Sequence, residues 1–109
     1  MECIEERQND ITILGLRGRM DSVTAQKVEQ HLLSLIESGN RHVVVDCAQL
    51  AYISSAGLRV FLMAAKRVTQ VKGKLTLTTL NDEVRQVFDL TGFSSILQIC
   101  PSREEAMMH

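Results

Sequence analysis

Val43-Val44-Val45-Asp46-Cys47-Ala48-Gln49-Leu50-Ala51-Tyr52-Ile53-Ser54-Ser55-Ala56-Gly57-Leu58-Arg59 reads as a buried strand, a loop, and two serines opening a helix. The β-branched run from His42 to Asp46 suits a central strand, because branched side chains pack well on a pleated surface covered on both faces. Loop is expected from there to Ile53. From Ser55 to about Thr69, Leu58, Leu62, Ala65 and Val68 keep a helical period with Phe61 beside them. One serine is expected to cap this helix, since its oxygen satisfies a first-turn N–H. The same place favours a phosphate, because free N–H groups point outward there.

Upstream, Ile11 to Gly18 reads as a strand, and Asn9-Asp10 suits a hairpin turn that makes Cys3 to Gln8 its antiparallel neighbour. Ser22 is the expected N-cap of a first helix carrying Val28, Leu32, Leu35 and Ile36 on one face, and Gly39-Asn40 ends it. Downstream, Leu75 to Thr79 alternates as a strand. Asn81 then caps a third helix with Val84, Val87, Phe88 and Leu90, stopped by Thr91-Gly92. Ile96 to Cys100 is a last short strand, and Ser102-x-x-Glu105 after Pro101 opens a brief final helix bearing Met107 and Met108. Strands alternating with helices imply parallel pairs joined by crossovers, and the opening hairpin makes the sheet mixed. The expected fold is a single α/β domain over residues 1–109.

The chain has 109 residues, enough for one core. Hydrophobic residues make up 45% and charged residues 23%, which places it among folded chains. Aromatic content of 4% leaves few rings to stack bases, and a net charge of −1 gives no drive toward a phosphate backbone, so nucleic acid is not an expected partner. Lys66, Arg67, Lys72 and Lys74 cluster near a helix C-terminus, where cations complement the dipole. No apolar run approaches a membrane span. The acidic opening with Glu2, Glu5 and Glu6 does not read as a secretory leader, and Cys3, Cys47 and Cys100 form no paired framework. A cytoplasmic location without membrane contact is expected.

Catalytic constellations are poorly supported. A nucleophile elbow needs Gly-x-Ser-x-Gly, and Ile53-Ser54-Ser55-Ala56-Gly57 lacks the first glycine. His31 lies mid-helix, His42 starts a strand and His109 is terminal, so none suits a triad. Asp46 at a strand end could mark a metal or phosphate site, but no second acidic residue adjoins it. Gly15-Leu16-Arg17-Gly18 lacks the Lys-Ser or Lys-Thr of a phosphate loop, no His or Cys spacing fits zinc, and Cys47 suits a small core position. No cofactor, metal or enzymatic activity is expected.

Three segments in order resemble the STAS domain of anti-sigma factor antagonists: Leu16-Arg17-Gly18-Arg19-Met20-Asp21-Ser22-Val23-Thr24-Ala25, then Val43 to Asp46 with Tyr52-Ile53-Ser54-Ser55-Ala56-Gly57-Leu58, then Val87-Phe88-Asp89-Leu90-Thr91-Gly92-Phe93. The resemblance implies a small mixed sheet of about five strands with about four helices mainly on one side. It implies a bacterial regulator in a partner-switching circuit. There the unphosphorylated protein binds an anti-sigma factor that is also a GHKL-type serine kinase, and so frees the sigma factor. Phosphorylation by that kinase switches binding off, and a PPM-type serine phosphatase restores it. The family's acceptor stands two places before the signature glycine, which here is Ser55, two before Gly57. Ser54 stands where the family often has Asp and is the lesser candidate. Asp21 matches the family's acidic residue implicated in kinase contact, and Asp21, Ser54, Ser55, Ala56, Gly57 and Arg59 are the implied partner surface. The free protein is expected to be a monomer. The same fold also serves as an unphosphorylated adaptor on the ATPase of lipid-transport ABC complexes and as a stressosome-type scaffold, and these remain the alternatives.

Overall fold

Strands and helices follow one another in the expected order in the computed structural model, which describes residues 1–108. They are β1 (Glu2–Gln8), β2 (Ile11–Met20), α1 (Thr24–Glu37), β3 (His42–Ile53), α2 (Ser55–Gln70), β4 (Lys74–Thr78), α3 (Asp82–Thr91), β5 (Gln98–Cys100) and α4 (Arg103–Met107), with a 3-10 turn at Phe93–Ser95. The sheet has the order β1-β2-β3-β4-β5. β1 and β2 form the antiparallel hairpin, and the other pairs are parallel. Parallel neighbours need a crossover, and α1, α2 and α3 supply the three.

Alternation along the strands divides the apolar side chains between two faces. Leu14, Leu16, Val43 and Val45 enter the larger core, where the buried stripes of α1 and α2 meet Phe88 of α3. Phe61 and Phe88 stack there with ring centroids 6.3 Å apart. Ile13 and Val44 face the other way and meet Ala106 of α4 and Cys100. Three helices thus cover one face and only α4 lies on the other. The caps at Asn81, Gly92 and Ser102 fall where expected, with Gly92 in the left-handed region at φ 80°. No helix among the described residues is long and apolar enough to cross a membrane.

The structure departs from the sequence reading in β3, which does not stop at Asp46 but runs to Ile53. Its register with β2 passes from Gly15↔Asp46 to Arg17↔Gln49, and from Gly18↔Leu50 to Arg19↔Tyr52. At each shift β3 carries one residue more than β2, the signature of a β-bulge. Asp46 Oδ1 accepts the Ala48 N–H at 3.0 Å at the first of them. The chain therefore stays in the sheet through the segment expected to be loop. At the ends of elements, Leu90 is 79% exposed, because Val84 and Phe88 define the buried side of α3. Ile96 closes the 3-10 turn, 62% exposed, and β5 begins only at Gln98. Met107, the last residue of α4, packs against the smaller core, whereas Met108 is exposed.

Candidate functional site

β2 and β3 end side by side. Met20 pairs with Ile53, and the Ser54 N–H donates to the Met20 carbonyl at 2.9 Å. The residues that follow, Asp21 and Ser54, are therefore neighbours in space although far apart in sequence. One leads into α1 and the other into α2.

At the start of α2 the two serines do different things. Ser54 is half-buried in an extended conformation (φ −93°, ψ 173°), and its Oγ accepts the Gly57 N–H at 3.3 Å. Its carbonyl accepts the Leu58 N–H at 3.0 Å. Ser54 is thus the N-cap. Ser55, the first helical residue, is exposed, and its hydroxyl has no partner among the described residues. A helix leaves its first N–H groups without intrahelical acceptors. Here Gly57 is capped, while the N–H groups of Ser55 and Ala56 meet no acceptor among the described residues. Gly57 lets this turn press against the strand ends. A Cβ there would fall 2.7 Å from Ile53 Cγ1 and 3.0 Å from Met20 Cγ, too close for any side chain without displacement.

The start of α1 is built around a carboxylate. Asp21 Oδ1 accepts the N–H groups of Val23 at 3.0 Å and Thr24 at 2.9 Å. Thr24 Oγ1 in turn accepts the Asp21 N–H at 2.9 Å and donates to the Arg19 carbonyl at 2.7 Å. Asp21, and not Ser22, therefore caps this end. Hydrogen bonds from Thr24 hold its pKa below the ordinary value, with smaller help from Val23 and Arg19. The Arg19 guanidinium sits 4.3 Å from the centre of the Tyr52 ring on the neighbouring strand.

Beside Ser55, a groove of about 330 Å³ runs between α1 and α2, lined in part by Ser22, Gln26, Glu29, Ala56, Arg59 and Met63. Arg59 is exposed and makes no ion pair among the described residues. Of the residues singled out from sequence, Asp21, Ser54, Ser55, Ala56, Gly57 and Arg59 all fall at this end of the molecule. Sequence reasoning missed Thr24, whose spacing in Asp21-x-x-Thr24 is that of a reciprocal cap, and Val23, an apolar residue 76% exposed next to Asp21.

The remaining candidates lie elsewhere. Asp46 is held by Arg103, with Nη2 at 2.7 Å and Nε at 3.2 Å from Oδ2, and the same guanidinium reaches Glu6 at 2.9 Å. An ion pair between β3 and α4 therefore stands where the strand-end position of Asp46 suggests a metal or phosphate site. His31 bonds Glu5 at 3.0 Å. His42 starts β3, at the opposite end of that strand from Ile53, and burial together with nearby Lys74 lowers its pKa. His109 lies outside the described residues. No histidine among the described residues pairs with Ser55. Cys47 is fully buried, and its thiol pKa is pushed far up by that burial. The described residues contain no group of three or more His, Cys, Asp or Glu suited to a metal ion.

The STAS domain family model matches residues 4–106. BtrV of Bordetella bronchiseptica, whose name carries a provisional assignment as an anti-sigma factor antagonist, is 42% identical over 97% of this chain and 91% of its own. The anti-sigma-B factor antagonist of Listeria monocytogenes is 32% identical over 88% of this chain and 84% of its own. Among solved structures, the anti-sigma factor antagonist SpoIIAA in its unphosphorylated form superposes with a TM-score of 0.82 at 19% identity, covering 97% of this chain and 93% of that one. The phosphorylated form from Bacillus gives 0.74 at 18% identity, covering 97% and 96%.

Proposed function

Because the chain belongs to the STAS domain family, we propose that it is an anti-sigma factor antagonist whose binding is switched at Ser55. The names of BtrV and the Listeria relative point to this role. One observation carries the assignment to Ser55: the Ser54 hydroxyl is engaged as a cap, while the exposed Ser55 hydroxyl and the two N–H groups beside it have no partner among the described residues.

In this reading the unmodified protein presents Asp21, Ser54, Ser55, Ala56, Gly57 and Arg59 to an anti-sigma factor that is also a GHKL-type serine kinase. The sigma factor is released in exchange. The kinase transfers the γ-phosphoryl group of ATP to Ser55 Oγ; the hydroxyl proton passes to a base on the kinase, and ADP leaves. A PPM-type phosphatase directs water onto that phosphorus, which returns the hydroxyl and frees inorganic phosphate. The added group brings about −1.5 to −2 charges at neutral pH. The helix start favours that charge, so the fold persists while the surface beside Asp21 turns strongly anionic. The circuit operates in the cytoplasm, and the free antagonist is a monomer.

The test is to incubate the protein with its cognate kinase and ATP and map the product by mass spectrometry. Phosphate on Ser55, absent from Ser55→Ala and kept in Ser54→Ala, is the expected result. No transfer by a kinase that is active on another substrate overturns the proposal.

A further inference from the structure

We propose that Arg59 is the internal partner of a phosphate carried on Ser55, and that its guanidinium leaves the wall of the α1–α2 groove to reach it. The inference rests on the reading of Ser55 as phosphoacceptor and deepens it.

Arg59 follows Ser55 by four residues within α2, so the two share a face with Cβ atoms about 5–6 Å apart. Helical side chains lean toward the N-terminus, which aims Arg59 back over the turn that begins at Ser55. It is exposed and has no ion pair among the described residues, so no salt bridge there has to break for it to move. Glu29 of α1 lines the same groove, but no salt bridge joins it to Arg59. The Asp21 oxygen nearest its own helix is engaged by Val23 and Thr24. A phosphate offers a larger charge than any of these carboxylates and three acceptor oxygens, and a guanidinium matches that geometry with two parallel N–H bonds. The open N–H groups of Ser55 and Ala56 supply donors from the other side.

Such a cradle gives the modification a second effect. Arg59 is one wall of the groove in the unmodified protein. Drawn onto the phosphate, it neutralises part of the new charge and opens the groove beside Ala56 and Met63. A partner that reads the unmodified face then meets a changed shape as well as a changed charge.

The test is ³¹P NMR titration of the full chain with phosphoserine placed at position 55 during translation, which needs no kinase. In wild type the phosphate is expected to lose its second proton about 0.3 pH unit or more below its midpoint in Arg59→Gln. Arg59→Lys should recover part of the shift. Arg67→Gln lies about 18 Å along the helix, beyond the screening length, and should leave the midpoint where it is in wild type. Coincidence of wild type and Arg59→Gln within about 0.1 unit overturns the proposal, as does an equal shift in Arg67→Gln. Whether the kinase chooses Ser55 is read separately by the mass map, so either claim can fail alone.

Discussion

The two helix starts lie side by side at the ends of β2 and β3, yet they satisfy their backbones in opposite ways. At α1 a carboxylate does the capping, with Asp21 accepting from Val23 and Thr24 and ionised more readily than an ordinary aspartate. At α2 a neutral hydroxyl does it, and two N–H groups and the Ser55 side chain are left open. The first start is anionic at neutral pH. The second is neutral but prepared for an anion. Under the proposed modification, a phosphate on Ser55 would make both of these neighbouring starts negative. A switch needs that asymmetry: were both starts capped by carboxylates, a further charge would change the surface less.

The largest effects should come from Ser55, because the proposed modification of its hydroxyl is the step that would turn the neutral start into an anionic one. Ser55→Ala should lose phosphate acceptance entirely. Ser55→Asp, a permanent if smaller charge, should weaken binding to the kinase by about tenfold or more, measured by calorimetry. Asp-like binding in Ser55→Ala, or wild-type binding in Ser55→Asp, would break the comparison. Next comes Gly57, which lets the α2 start reach the strand ends. Gly57→Ala should cost about 1–3 kcal/mol, since its methyl group has no room beside Ile53 and Met20. Urea denaturation reads this directly, and an unchanged midpoint would mean that the α2 start is looser than its contacts imply. Ser54→Ala should cost about 1 kcal/mol, the usual worth of an N-cap. Ser54→Asp should retain that stability, because Asp caps equally well and its charge suits a helix N-terminus.

Much of this region is legible in the sequence, and the illegible part has physical causes. The serines, Gly57 and the helix after them announce themselves by type and spacing. The strand before them does not. Beyond Asp46 its buried residues are Cys47, Leu50 and Ile53, three apart, because each β-bulge inserts one residue into what is otherwise a period of two. A spacing of three resembles neither a strand nor a full helical face, and loop was the natural reading. From sequence the cap of α1 falls on Ser22, because serine suits that role as well as aspartate does; only the hydrogen bonds of Asp21 distinguish them. The adjacency of Asp21 and Ser54 was also hidden. It follows from the pairing of Met20 with Ile53, and that register depends on the same bulges. Ile96 lies outside β5 for a plainer reason, since an apolar residue beside a strand need not belong to it or be buried.

The smallest predicted effect is the one that separates the two caps most cleanly. Asp21 has a folded-state pKa below its ordinary 3.8. Its stabilising charge is fully present above 3.8 and is lost as pH falls through the lower folded value. Ser54 does not titrate in this range. The stability difference between wild type and Asp21→Asn should therefore shrink toward zero between pH 5 and about pH 2, while the difference between wild type and Ser54→Ala stays level. His42 contributes separately. Its pKa is lowered by burial, so the protein loses stability as pH falls below 6.5 toward the folded value. That loss is common to wild type and both variants, so it cancels in each difference. Thermal melts of the three proteins at a series of pH values read the result. Parallel curves for Asp21→Asn would mean that Asp21 caps α1 as a neutral group could, and the contrast between a fixed anion and a switchable one would lose its electrostatic basis.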